Sequence, residues 1–186
     1  MPTPPRLFLD ACILVTAANS PDGGSARLLS IAAEGKVKLL ATRIVMREAK
    51  NNIIGLLGRP LWIWFCRIIG PLRISLSDPA TSKEKAEWAK LTAQKDTHVL
   101  TCAIKGKADI LISLDRRHIL NQTVQKVFPL PIMSPGDFLQ KYGFVEPKPP
   151  NHGQDCPSCT NPSDTPLRHS RLLPPSHLKW SSRRNE

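Results

Sequence analysis

Four carboxylates stand where a side chain could do more than meet solvent: Asp10, Glu48, Asp96 and Asp115. Asp10 ends the apolar run Leu7-Phe8-Leu9, and Asp115 ends a second run, Ile110-Leu111-Ile112-Ser113-Leu114. If both runs are strands of a parallel sheet, both acids emerge at carboxyl ends, the edge where open α/β sheets gather their ligands. Asp96 precedes Val99, Leu100 and Ala103 at helical spacing, which puts it on the inward stripe of a helix. Glu48 follows Ile44 and Val45 by one turn and borders a similar stripe. Anions directed inward repel one another and lose hydration, a cost that a divalent cation offsets. Oxygen donors with no matching His/Cys set favour Mg²⁺ or Mn²⁺ over zinc.

Each acid taken alone has a plainer reading. Asp10 and Asp96 suit helix N-caps, Glu48 suits an exposed helical position near Lys50, and Asp115 suits a turn. Together they argue for a site.

The elements that must position these acids alternate between short apolar runs and helical patterns. Strands are expected at Arg6–Leu9, Val37–Ala41, Ile110–Leu114 and Leu130–Met133. Helices are expected from Gly24 to Gly35, after Thr42 through Val45, Ala49, Ile53 and Leu56, from Ser82 to Ala93, from Asp96 to Lys105, and from Pro135 to Tyr142. A run without alternation, such as Ile110–Leu114, suits a strand buried on both faces. This order predicts an α/β fold with a parallel sheet covered by helices.

The stretch from Ile53 to Leu76 contains Leu61-Trp62-Ile63-Trp64-Phe65, but Arg59, Arg67, Arg73, Pro60 and Pro71 interrupt it. No run reaches the roughly 20 apolar residues of a membrane span. Two helical pieces, broken near Gly58-Arg59-Pro60 and ended at Gly70-Pro71, are expected; an exposed aromatic surface for a partner is the alternative.

The 186 residues carry a formal charge of +11, of which +8 falls in residues 1–146. Such a balance attracts polyanions, nucleic acid above all, but specifies no reaction. Met1-Pro-Thr-Pro-Pro-Arg leads directly into the first strand with no leader pattern. The five cysteines are odd in number, and Cys12, Cys66 and Cys102 read as small core residues, so a reducing cytoplasm is expected. After Glu146 the composition turns to proline, serine and basic residues. Residues 1–146 are read as one domain and 147–186 as a disordered basic tail. His152, Cys156, Cys159 and His169 in that tail suggest zinc, yet a single Cys-x-x-Cys with these His spacings fits no familiar finger.

The motifs resemble the PIN-domain family in four separated segments between Leu7 and Tyr142. Leu7-Phe8-Leu9-Asp10-Ala11-Cys12-Ile13-Leu14 looks like the opening strand and acid. Arg47-Glu48 stands where the family carries an acid on the helix after its second strand. Lys95-Asp96-Thr97-His98-Val99-Leu100 with Ala103, followed by Ala108-Asp109-Ile110-Leu111-Ile112-Ser113-Leu114-Asp115, resembles the central signature. Pro131 to Leu139 is similar to the closing strand and helix. Cys12, where many members carry a polar residue, and the tail depart from the pattern.

The resemblance implies a Rossmann-like PIN fold, a parallel sheet flanked by helices on both faces, and metal-dependent endoribonuclease activity, as in VapC-type toxins. By position, Asp10, Glu48, Asp96 and Asp115 would be catalytic, with Asp10, Asp96 and Asp115 as ligands of Mg²⁺ or Mn²⁺. Glu48 would bind a second ion or orient the attacking water. Ser113 would hydrogen-bond within the cluster and is counted with the substrate-binding candidates, whereas Asp109 serves a turn. Arg116, Arg117, Lys95 and Arg47 are candidates for RNA phosphates, each with an ordinary surface role as its alternative. RNA, a small antitoxin and a second copy of the chain are the partners admitted, with no membrane. Two other function classes remain open: a PIN-like nucleic-acid-binding module without catalysis, and a protein-interaction module built on Trp62-Ile63-Trp64-Phe65.

Overall fold

Residues 3–94 and 96–144 are described by the computed structural model, which carries five strands and eight helices among them. Strands β1 (Arg6–Leu9), β2 (Lys38–Ala41), β3 (Ser75–Leu76), β4 (Ile110–Ile112) and β5 (Ile132–Met133) form one parallel sheet in the order β3-β2-β1-β4-β5. Leu7, Phe8 and Leu9 of β1 and all of β4 are buried, the pattern of central strands covered on both faces. Each large apolar side chain withdrawn from water in this way contributes about 1.5–3 kcal/mol.

The chain leaves β1 through α1 (Ala11–Asn19) and α2 (Gly24–Ala33) to β2, then passes through α3 (Arg43–Leu57) and α4 (Arg59–Ile69) to β3. It returns across the sheet through α5 (Ser82–Ala86) and α6 (Thr97–Lys105) to β4, and through α7 (Gln122–Val127) to β5; α8 (Pro135–Lys141) closes it. Right-handed crossovers running in opposite directions lie on opposite faces of a sheet. The packing agrees: α1 touches α2, α3 and α4, and α8 touches α2, whereas α5 packs on α6, and α6 lies against β2 and β4. The direction reverses between β1 and β4, which opens a crevice at their carboxyl ends.

Register fixes what meets there. Leu9 pairs with Ile112, so Asp10 and Ser113 are the next residues out on neighbouring strands. The Asp10 amide still donates to the Ile112 carbonyl (3.1 Å), and the Ser113 amide to that of Met133 (3.1 Å).

The break in the tryptophan region is set by Gly58, whose φ of 90° favours a residue without Cβ. Pro60 then starts α4, and Leu61, Phe65 and Ile69 face the core at one-turn spacing. Trp62 and Trp64 pack partly against that core, while Ile63 is exposed. No helix among the described residues is long and apolar enough to cross a membrane.

Two expectations change. The helix read from Ser82 to Ala93 stops at Ala86. Beyond it the amides of Trp88, Ala89 and Leu91 reach back only three residues, in turns that seat Trp88 edge-on against Phe128 at 5.3 Å. The sheet also gains β3, and α7 follows β4, where no strong period had marked either. The proposed tail, with its zinc candidates His152, Cys156, Cys159 and His169, lies outside the described residues, as does Lys95.

Candidate metal centre

Asp10 and Asp96 both occupy helix N-cap positions, yet neither side chain caps its helix. Elsewhere in the protein Thr42, Thr81, Asn121 and Ser134 do accept the expected backbone N–H bonds. The plain capping reading therefore fails for the two aspartate side chains.

Asp10 is almost fully buried at the end of β1. Its Oδ2 accepts a 2.6 Å bond from the Ser113 hydroxyl and a 3.1 Å contact from the Cys12 thiol. Ser113, also buried, accepts from the Asp115 amide at 3.1 Å. One relay thus runs from the Asp115 backbone through Ser113 to Asp10 and joins the ends of β1 and β4. The hydrogen-bonding role expected of Ser113 is present in the geometry.

Cys12 belongs to this cluster rather than simply to the core. Its sulfur accepts from the Leu114 amide at 3.3 Å and lies 3.7 Å from the Ser113 hydroxyl oxygen. Burial, with the Asp10 charge beside it, pushes the Cys12 thiol up to about 12, so the sulfur keeps its proton and donates to the carboxylate. Cys102 is buried as expected; Cys66 is half-buried.

Asp115 divides its two oxygens. Oδ1 accepts from the amides of Arg117 and His118, both at 2.9 Å, so its turn role is real. Oδ2 faces the His118 imidazole, with Nδ1 at 2.9 Å, and Oδ2 of Asp96 lies 3.7 Å from the same nitrogen. Burial raises the Asp115 carboxyl, but the His118 ring and the two backbone N–H groups outweigh it and hold the acid below its usual value. Asp96, Asp115 and His118 each offer a ligand atom, and the three atoms lie within 4.8 Å of one another.

Asp10 stands beside this trio, tied to it through Ser113 rather than included in it. Glu48 is exposed on α3, six residues past Thr42 and about 9 Å along the helix from it. Asp109 lies away from these acids: its carboxylate accepts from the Arg6 amide at the start of β1 at 2.7 Å, a contact between strands in place of the turn role expected of it. Arg47, Arg116 and Arg117 are exposed. Arg47 also lines a 580 Å³ cavity with Arg43, Thr42 and Ser77, where β2 and β3 end. His118 escaped the sequence reading, which took the acids as lacking a nitrogen partner; its position three residues after Asp115 was the available signal.

The donor set fits a divalent cation: two carboxylates converge with an imidazole nitrogen, beside a third, buried carboxylate held by hydroxyl and thiol. An open doubly wound sheet with acids at its switch point defines an α/β protein with a metal-type carboxylate site. Residues 6–117 match the PIN domain family model, and the chain belongs to that family. The same fold occurs in the crystal structure of VapBC2 from Rickettsia felis bound to a DNA fragment from their promoter. That match has a TM-score of 0.50 and 16% identity, and covers 69% of this chain and 98% of that one. Among curated proteins none matches.

Proposed function

We propose that the chain is a Mg²⁺- or Mn²⁺-dependent endoribonuclease of PIN type. The observation that carries this reading is the approach of Asp96 and Asp115, with His118, beside the end of β4, while Asp10, buried at the end of β1, is linked to the Asp115 backbone through Ser113 and neither N-cap aspartate caps its helix. In this reading Asp10, Asp96 and Asp115 hold the ion. The cation supplies Lewis acidity, making water a better nucleophile at neutral pH and offsetting charge that gathers on the phosphodiester. Ser113 keeps the Asp10 carboxylate oriented, and Cys12, protonated, donates to the same oxygen. Glu48 acts as the fourth acid, orienting water or serving a second ion once RNA is in place. Arg43 and Arg47 around the neighbouring cavity, with Arg116 and Arg117, hold phosphates of the strand.

The likeness to a chain of the VapBC2 complex supports a toxin role held silent by a small antitoxin; a cytoplasmic location and a homodimer are part of the proposal and rest on no such likeness. The family's nuclease chemistry favours the enzyme over a binding module, because a module without catalysis has no need of acids brought together at the carboxyl ends of the strands.

The test is cleavage of single-stranded and structured RNAs by purified protein freed of any co-purified partner. Mn²⁺ or Mg²⁺ should support cleavage and EDTA should stop it. Asp10→Asn and Asp96→Asn should each abolish it while leaving metal-free thermal stability equal or higher, since each removes one anion from a mutually repelling set. Intact RNA across several substrates, alongside demonstrable metal binding, would refute the catalytic role. Marked unfolding of either variant would return the aspartates to a structural one.

A further inference from the structure

We propose that His118 is a direct nitrogen ligand of the metal held by Asp96 and Asp115, and that it tunes the site toward Mn²⁺ and away from Mg²⁺. The inference rests on the proposed metal site and deepens it. The PIN match ends at Arg117, so the assignment comes from this chain's own geometry.

Three observations carry it. The Nδ1 atom of His118 lies 2.9 Å from Asp115 Oδ2 and 3.7 Å from Asp96 Oδ2. Ligands bonded to one ion at about 2.0–2.2 Å stand roughly 2.8–3.6 Å apart at octahedral or tetrahedral angles, so an ion needs only a small movement of Asp96 toward the ring. The backbone that carries the ring is also held in place. The His118 amide donates to Asp115 Oδ1 at 2.9 Å, and its carbonyl accepts from the Thr92 hydroxyl at 2.7 Å. Its side chain is only 27% exposed, between two acids arriving from different elements. Finally, the nitrogen rather than a carbon edge of the ring faces both oxygens, the orientation that coordination requires.

The chemical consequence follows from ligand hardness. Mg²⁺ keeps oxygen donors and parts reluctantly with water, whereas imidazole suits later divalent ions and is tolerated by Mn²⁺. An Asp–Asp–His set therefore binds Mn²⁺ with less disadvantage than Mg²⁺ when compared with an all-carboxylate site. The competing role is one of positioning, in which His118 only donates Nδ1–H to Asp115 and never meets the ion.

The experiment uses the full-length protein with Mn²⁺ alone as probe. Pulsed electron paramagnetic resonance of bound Mn²⁺ should show the hyperfine coupling of a directly coordinated nitrogen. That coupling should change on labelling histidine with ¹⁵N and vanish in His118→Gln. Calorimetry should show Mn²⁺ affinity falling at least about tenfold in that variant, with Mg²⁺ affinity falling less. Mn²⁺ bound with no nitrogen coupling in the wild type would overturn the ligand role and leave the metal site standing. Equal losses for both ions without such coupling would make His118 a positioning residue and overturn it as well. No Mn²⁺ binding at all would sink the metal site itself, and this proposal with it. The wild-type spectrum decides the matter even if the variant folds poorly.

Discussion

Replacing Ser113 with alanine removes one buried hydroxyl and, with it, the side-chain link between the ends of β1 and β4. The hydroxyl donates to Asp10 Oδ2 at 2.6 Å and accepts from the Asp115 amide at 3.1 Å. A hydrogen bond to a charged group contributes about 1.5–3 kcal/mol, and an amide that loses its acceptor in a half-buried site costs about 1 kcal/mol more. The Cys12 thiol remains on Asp10 at 3.1 Å and softens the loss. The expected destabilisation is therefore roughly 2–4 kcal/mol, or about 5–15 °C in Tm for a domain of this size. Urea denaturation followed by tryptophan fluorescence measures it. The decisive comparison repeats Ser113→Ala in an Asp10→Asn background, where the bond survives between neutral partners. The cost there should fall to about 2 kcal/mol, a neutral hydrogen bond plus the same orphaned amide, leaving a coupling energy of about 1 kcal/mol. Equal costs in both backgrounds would refute the charge-assisted relay. A loss below about 0.5 kcal/mol in the parent protein would refute the contact altogether.

The second prediction concerns the 580 Å³ cavity at the ends of β2 and β3. Arg43→Ala with Arg47→Ala should weaken RNA binding and reduce the salt slope by about 0.7 per lost phosphate contact, as read by titration at several salt concentrations. An unchanged slope removes both arginines from the RNA path. For Asp115, the folded acid is held below its usual value, so its charge stabilises the fold above the unfolded pKa of about 4, and that contribution is lost as pH falls through the folded value. Wild type should thus exceed Asp115→Asn in metal-free stability near neutrality, and the gap should close below about pH 4. A gap that persists at pH 2.5 assigns the effect to the turn instead. Ending the chain at Glu146 should leave the domain folded and metal-dependent cleavage intact, with modestly weaker RNA binding and a shallower salt dependence. Stoichiometric zinc in the full chain, absent from the shortened one, would replace the charged-tail reading with a structural metal site.

Much of this protein was determined locally and is visible in the sequence. Leu7-Phe8-Leu9 and Ile110-Leu111-Ile112 are apolar without alternation, because a central parallel strand is covered on both faces. Thr42, Gly58, Pro60, Gly70 and Ser134 mark helix ends through capping and backbone restrictions that need no distant partner. Asp10 and Asp115 could be assigned to the productive edge of the sheet because each directly follows such a run. What required the tertiary structure is whatever depends on register and on packing across the chain. β3 has two exposed residues and exists as a strand through its pairing with β2, so no hydrophobic pattern announces it. Ser113 meets Asp10 across 103 residues because Leu9 aligns with Ile112, and a slip of one position would point the hydroxyl to the other face. Cys12 looked like a core thiol until that same register brought Asp10 and Leu114 against its sulfur. His118 becomes a candidate ligand only when the turn after β4 carries its ring toward Asp96 at the head of α6, an approach set by helix-on-sheet packing. Local propensity specifies where elements begin and end; which side chains share a crevice follows from how those elements pack.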